Sequence, residues 1–195
     1  MLICVTNRKI CRDNFTQRID QIAKGKPYAI ILREKDLTIS EYENLAKEIN
    51  NICLENQVPL IIHQNIETAA KLELSFIHLS MPDLRKYKSD IKLFSEIGTS
   101  VHSVHEAREA QELGASYVIA GHIFPTDCKK GVPPRGLSFL KDICDSVSVP
   151  VFAIGGITKD RVQGVTEAGA KGFCVMSEAM ACAKPIEFVQ AYRVF

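Results

Sequence analysis

Short apolar runs alternate along this chain with longer stretches in which apolar residues recur every three or four positions. The runs lie at 2–6, 28–33, 59–63, 76–80, 97–101, 117–122, 149–154 and 172–176, and each is rich in Val, Ile or aromatic residues. Runs this short suit strands buried on both faces. Between them, 40–55 carries Tyr42, Leu45, Ala46, Ile49, Ile52 and Cys53 on one helical face. The same spacing predicts helices over 15–23, 105–113, 136–145, 160–168 and about 185–192, and the pattern is weaker over 65–74 and 83–94. Gly25 stops the first helix and Pro185 stands in the first turn of the last.

Strand and helix alternate throughout, which implies parallel strands joined by helical crossovers. Eight such units close into a barrel. The expected architecture is an α/β fold, a single small (β/α)8 TIM barrel spanning 1–195, at about 24 residues per unit. An open dinucleotide-binding sheet would need a glycine-rich turn after the first strand, and Thr6-Asn7-Arg8-Lys9 has no glycine.

Composition narrows the function. Apolar types make up 46% of the 195 residues, charged types 24%, and the formal charge is +1. That excludes a disordered chain and argues against a nucleic-acid groove, while leaving room for a small phosphate ligand. No apolar window reaches membrane-spanning length, and Met1-Leu2-Ile3-Cys4-Val5 reads as a first strand, not a leader. The seven dispersed Cys form no C-x-x-C and read as reduced thiols, so a cytoplasmic location is expected, with no membrane or nucleic-acid partner. Whether the chain forms a homo-oligomer is left open.

In such a barrel, chemistry sits at the C-terminal strand ends. Those ends carry Arg33 and Lys35, His63, Ser100 and His102, His122 with Thr126 and Lys129 beyond it, Gly155-Gly156, and Met176-Ser177. Gly155 and Gly156 suit close backbone approach to a phosphate, with Ser177 and the start of the next helix on the same anion. Imidazole exchanges protons near neutral pH, and His122 opens the longest loop, so His122 is the candidate acid/base residue. His78, inside a strand, is expected to pack or support, and His105 to serve a local hydrogen bond. His63, His102 and His122 converging on zinc is the weaker reading, so no metal site is expected. Cys128 is read as pocket wall.

The strings Gly98-Thr99-Ser100-Val101-His102-Ser103, Gly121 through Gly131 and Pro150 through Thr158 make the chain resemble the thiamine phosphate synthase superfamily over nearly its whole length. That superfamily has a (β/α)8 barrel and works on thiazole phosphates. Its synthases carry Gln-x-Arg-x-Lys after strand two, where this chain has Ile31, Arg33 and Lys35. They end strand three in Asn-Asp, with the Asp on magnesium, where this chain has His63-Gln64; Asp83 matches their second magnesium carboxylate. The run Gly121-His122 followed by Phe124, Thr126, Asp127, Cys128, Lys129, Lys130 and Gly131 is similar to the thiazole tautomerase (TenI) branch, in which the residue matching His122 transfers protons.

The resemblance therefore implies an isomerase: tautomerisation of a carboxythiazole ethyl phosphate to its aromatic form, with His122 as acid and base. Its phosphate would be held at Gly155, Gly156 and Ser177, and His63, Ser100, His102, Thr126, Lys129, Arg33, Lys35 and Met176 would contact the substrate. The partner is then a small thiazole phosphate, with no cofactor. The alternative is the synthase itself, joining hydroxymethylpyrimidine pyrophosphate to thiazole phosphate with magnesium. A protein that binds such phosphates without turnover is a third reading. The loop 124–134 is a candidate lid, bounded by Gly131 and Pro133-Pro134.

Overall fold

A computed structural model of the chain describes residues 1–192. Eight strands pair in the order β1-β2-β3-β4-β5-β6-β7-β8 and close into a barrel, as the alternating pattern predicts. Among the described residues no helix is long and apolar enough to cross a membrane, and no disulfide links the cysteines. Contacts divide the chain into two compact units, residues 1–77 with the segment from Val175 onward, and His78–Cys174.

The first unit holds β1 (Leu2–Val5), β2 (Ala29–Leu32) and β3 (Leu60–His63), with helices α1 (Phe15–Lys24), α2 (Ile39–Glu55) and α3 (Ile66–Lys71). The strands are parallel, with Cys4 opposite Ile30 and Ile31 opposite Ile61. Nearly every strand residue is buried, which is why these segments read as continuous apolar runs and not as alternating ones. Helix starts are fixed locally. Asn14 accepts from the Gln17 N–H, and Thr38 with Glu41 makes a reciprocal capping box at α2. The buried Tyr42 of α2 donates its hydroxyl to the Leu32 carbonyl at 2.6 Å and accepts from the His63 N–H at 3.3 Å. One α2 side chain thereby ties the ends of two strands.

The second unit holds most of β4 (Phe76–Ser80) and β8 (Gly172–Val175), and all of β5 (Glu96–Val101), β6 (Tyr117–Gly121) and β7 (Val151–Ile154). Its helices are α4 (Met81–Lys86), α5 (Val104–Glu112), α6 (Gly136–Ser146) and α7 (Val162–Glu167). Ser100 stands opposite Ile119, and Ala120 opposite Ala153. The helix expected over 83–94 is instead α4 followed by a 3-10 turn at Asp90–Leu93. Ser80 caps α4 and Pro82 sits in its first turn, so the helix starts directly at the strand end. Back in the first unit, two short helices close the described chain, α8 (Ser177–Ala181) and α9 (Pro185–Ala191); the α8 turn is absent from the apolar pattern because it is only five residues long.

Candidate active site

In the second unit, the loop after β6 is bound to its neighbours mainly through backbone. Ile123 N–H donates to the Ile154 carbonyl at 2.9 Å, and Phe124 N–H to the Gly155 carbonyl at 3.0 Å. At the far end, Arg135 and Gly136 N–H donate back to the His122 and Ile123 carbonyls, both at 3.0 Å, closing the loop on itself. Within it, Thr126 is half-buried, and Cys128 and Lys129 are exposed.

Gly155 and Gly156 meet this loop at close range. A Cβ on Gly155 would lie 2.4 Å from the His122 Cβ, and one on Gly156 would lie 2.3 Å from the Pro125 carbonyl oxygen. The glycine pair thus has a packing reason in addition to any ligand: the strand-six loop occupies the space a side chain would need.

The histidines divide by environment. His122 follows a cis peptide from Gly121, is only 8% exposed, and places Nε2 3.3 Å from the Val132 carbonyl. Its ring faces its own loop. His102 sets Nδ1 2.9 Å from the Gly121 carbonyl, and its N–H donates to Glu106 at 2.6 Å. His78 is fully buried, with Nε2 2.8 Å from Ser100 Oγ and Nδ1 3.2 Å from the Tyr117 hydroxyl. The expected supporting place of His78 is therefore specific: it fixes the hydroxyl of Ser100, a residue singled out for substrate contact.

Burial pushes the His78 imidazole down from its ordinary 6.5 to about 3. The folded chain keeps it neutral, while the unfolded chain takes up a proton first. Stability is thus fully present above about 6.5 and is lost as pH falls toward 3. Urea unfolding between pH 7 and pH 4 is expected to show this loss, on the order of 1 kcal/mol per pH unit. His78→Phe is expected to flatten the slope while costing about 2 kcal/mol at neutral pH through the stranded Ser100 and Tyr117 hydroxyls.

In the first unit, the end of β2 is organised by Glu34. Its buried carboxylate accepts from Thr6 Oγ1 at 2.7 Å and from the Arg8 N–H at 3.0 Å. Burial raises its pKa, opposed by those hydrogen bonds. Thr6 in turn accepts from the Arg33 N–H at 2.9 Å, so Thr6 and Glu34 brace the backbone that carries Arg33 and Lys35. Arg33 is half-buried and Lys35 exposed. His63 and Met176 are half-buried, and Ser177 is exposed at the start of the five-residue α8. Nothing in the sequence marks Glu34: a carboxylate between Arg33 and Lys35 reads as surface charge unless its partner Thr6, 28 positions away, is known.

A magnesium site of the synthase kind needs hard oxygen donors. The end of β3 supplies His63 and Gln64 in place of a carboxylate. The remaining candidate, Asp83, has Oδ2 engaged by the Ser80 hydroxyl at 2.6 Å as part of the α4 cap. Among the described residues no group of three His, Cys, Asp or Glu side chains gathers as a metal set, for zinc or for magnesium. The donors present do not fit the two-carboxylate arrangement.

Comparison with known proteins decides the family. The TMP-TENI family, described as thiamine monophosphate synthase, matches residues 2–179. The chain belongs to this family. A thiamine-phosphate synthase of Clostridium botulinum (strain Kyoto / Type A2) is 36% identical over 183 residues, covering 90% of this chain and 88% of its own. Thiamine-phosphate synthase 2 of Streptococcus pneumoniae is 32% identical over 185 residues, covering 92% and 87%. Among solved structures, a thiamine phosphate pyrophosphorylase from Pyrococcus furiosus superposes with a TM-score of 0.88 at 28% identity, covering 99% of this chain and 93% of its own.

These relatives correct the expected activity. The thiamine monophosphate synthase family matches across the barrel, but the relatives are named synthase or pyrophosphorylase, so the isomerase reading, and the tautomerase role given to His122, do not stand. That reading rests on the Gly121 to Gly131 string together with the departures from the synthase pattern at Ile31 and Gln64. In the structure the His122 ring lies against its own loop, with Nε2 3.3 Å from the Val132 carbonyl.

Proposed function

We propose that this chain is a thiamine phosphate synthase, a transferase that joins hydroxymethylpyrimidine pyrophosphate to thiazole phosphate with release of pyrophosphate, and that 1–195 acts as one catalytic domain. The observation that carries the reading is the near full-length likeness to proteins of that name, 36% identical over 183 residues in one case. Arg33 and Lys35 at the end of β2 retain the cationic pair of the synthase pattern.

In this reading the ring nitrogen of the thiazole attacks the methylene carbon of the pyrimidine. A carbon–nitrogen bond forms, the carbon–oxygen bond breaks, and the electron pair leaves with pyrophosphate. No proton transfer is required, which removes the need for an acid or base at position 122. The leaving group develops charge that cations stabilise, and Arg33, Lys35 and Lys129 are assigned to it. Backbone N–H groups at Gly155 and Gly156 are assigned to the thiazole phosphate, with Ser177 as a further donor. His63, Ser100, His102, Thr126 and Met176 are assigned to contacts along the substrates. His122 holds the loop that carries Thr126 and Lys129.

The test is direct. Purified protein supplied with both substrates and magnesium is expected to form thiamine phosphate, resolved by chromatography. Arg33→Ala is expected to lower kcat/KM about tenfold, as removal of one charge-assisted hydrogen bond would. Absence of product from the wild-type chain at saturating substrates contradicts the reading.

A further inference from the structure

The three carbonyls that lead out of β7 are each held by a donor, two from the loop after β6 and one from the turn that follows β7. Ile154 accepts from the Ile123 N–H at 2.9 Å and Gly155 from the Phe124 N–H at 3.0 Å. Gly156 accepts from Arg161 Nη1 at 2.6 Å. A peptide unit is planar and trans, so each carbonyl fixed on one side aims the following N–H to the other. The N–H groups of Gly155, Gly156 and Ile157 each point away from the donor on the preceding carbonyl, and a run of successive backbone N–H groups suits an anion. Of the three anchors, two are backbone and come with the fold. The third is a side chain and can be removed without changing any backbone bond.

Arg161 is well suited to this task. It stands in the 3-10 turn Lys159–Arg161 that leads into α7. Its guanidinium carbon lies 4.9 Å from the centre of the Phe124 ring, so the same group that grips Gly156 packs on the residue opposite Gly155. A planar guanidinium donates along its edge while stacking through its face, which an ammonium does not do.

We propose that Arg161 is a positioning residue for phosphate binding: it holds the Gly156 carbonyl, so that the Ile157 N–H stays aimed at the anion, and it locks this turn to the strand-six loop through Phe124. This rests on the reading above for the identity of the phosphate ester. It does not touch the reacting atoms.

The experiment compares wild type, Arg161→Ala and Arg161→Lys with thiazole phosphate and with the unphosphorylated thiazole alcohol, and measures inorganic phosphate binding by calorimetry. Arg161→Ala is expected to raise KM for thiazole phosphate about tenfold, with kcat and the KM for pyrimidine pyrophosphate within about twofold of wild type. Turnover of the alcohol, which has no phosphate to seat, is expected to be unchanged. Arg161→Lys restores part of the loss, since it donates but does not stack, and it serves as the folded control. Phosphate affinity is expected to fall about tenfold in Arg161→Ala.

Equal KM changes for the ester and the alcohol would mean a general structural role and overturn the proposal, as would unchanged phosphate affinity or a wild-type chain that binds no phosphate. A chain without synthase turnover whose phosphate affinity still falls in Arg161→Ala would sink the synthase reading and leave the role of Arg161 standing.

Discussion

Gly156→Ala is expected to lower kcat/KM at least about 100-fold and to destabilise the chain by about 3 kcal/mol, read by steady-state kinetics and urea unfolding. Two costs add. Gly156 has φ +64°, a left-handed conformation that a Cβ disfavours. The new methyl would also stand 2.3 Å from the Pro125 carbonyl oxygen and 2.9 Å from the Phe124 Cβ. Neither neighbour is the end of a flexible side chain, so the strand-six loop has to shift as a whole, and Thr126 and Lys129 move with it. Gly114→Ala is the control: its φ is +92° but no atom lies within 4 Å of the added Cβ. It is expected to cost about 1 kcal/mol, from backbone strain alone, and to leave kcat/KM unchanged.

Glu34→Ala is expected to cost about 3 kcal/mol and to lower activity together with stability. Removing the carboxylate strands the Thr6 hydroxyl and the Arg8 N–H, both of which it holds within 3.1 Å. Thr6 also accepts from the Arg33 N–H, so the disturbance reaches the backbone of Arg33 and Lys35. Glu34→Gln keeps one acceptor oxygen and a similar shape, and is expected to lose roughly half as much. Equal losses for the two variants, or stability lost with Arg33-dependent kinetics intact, would show that Glu34 does not brace this strand end.

The barrel was open to sequence reading because its strands are short and buried on both faces. Segments such as Ala29–Leu32 and Leu60–His63 carry no polar residue before their ends, and each is followed by a helix with a readable cap or stop. The segment 83–94 was not, because its helix begins at the strand end under Ser80 and gives way to a 3-10 turn, both short-range features without periodicity. The position of candidate site residues at strand ends was legible for the same reason as the strands.

What each does there was not legible. A histidine at a strand end looks alike in sequence whatever its ring meets, and the 3.3 Å approach of the His122 ring to the Val132 carbonyl, ten residues on, is visible only in the fold. Glu34 and Arg161 carry no signal in the sequence because a charged residue in a loop is ordinarily solvated. Their importance lies in partners, Thr6 and the Gly156 carbonyl, that only the fold brings near. The Gly155-Gly156 pair is legible in the sequence on chemical grounds; the loop that fills the space beside it is not.

Phosphorus-31 magnetic resonance on one reaction mixture tests the central claim most directly. With pyrimidine pyrophosphate, thiazole phosphate, magnesium and the purified chain, the account predicts that both substrate signals decline together while thiamine phosphate and pyrophosphate grow one for one. Unchanged signals with both substrates saturating, or decay of the pyrophosphate ester without growth of the joined product, would contradict it.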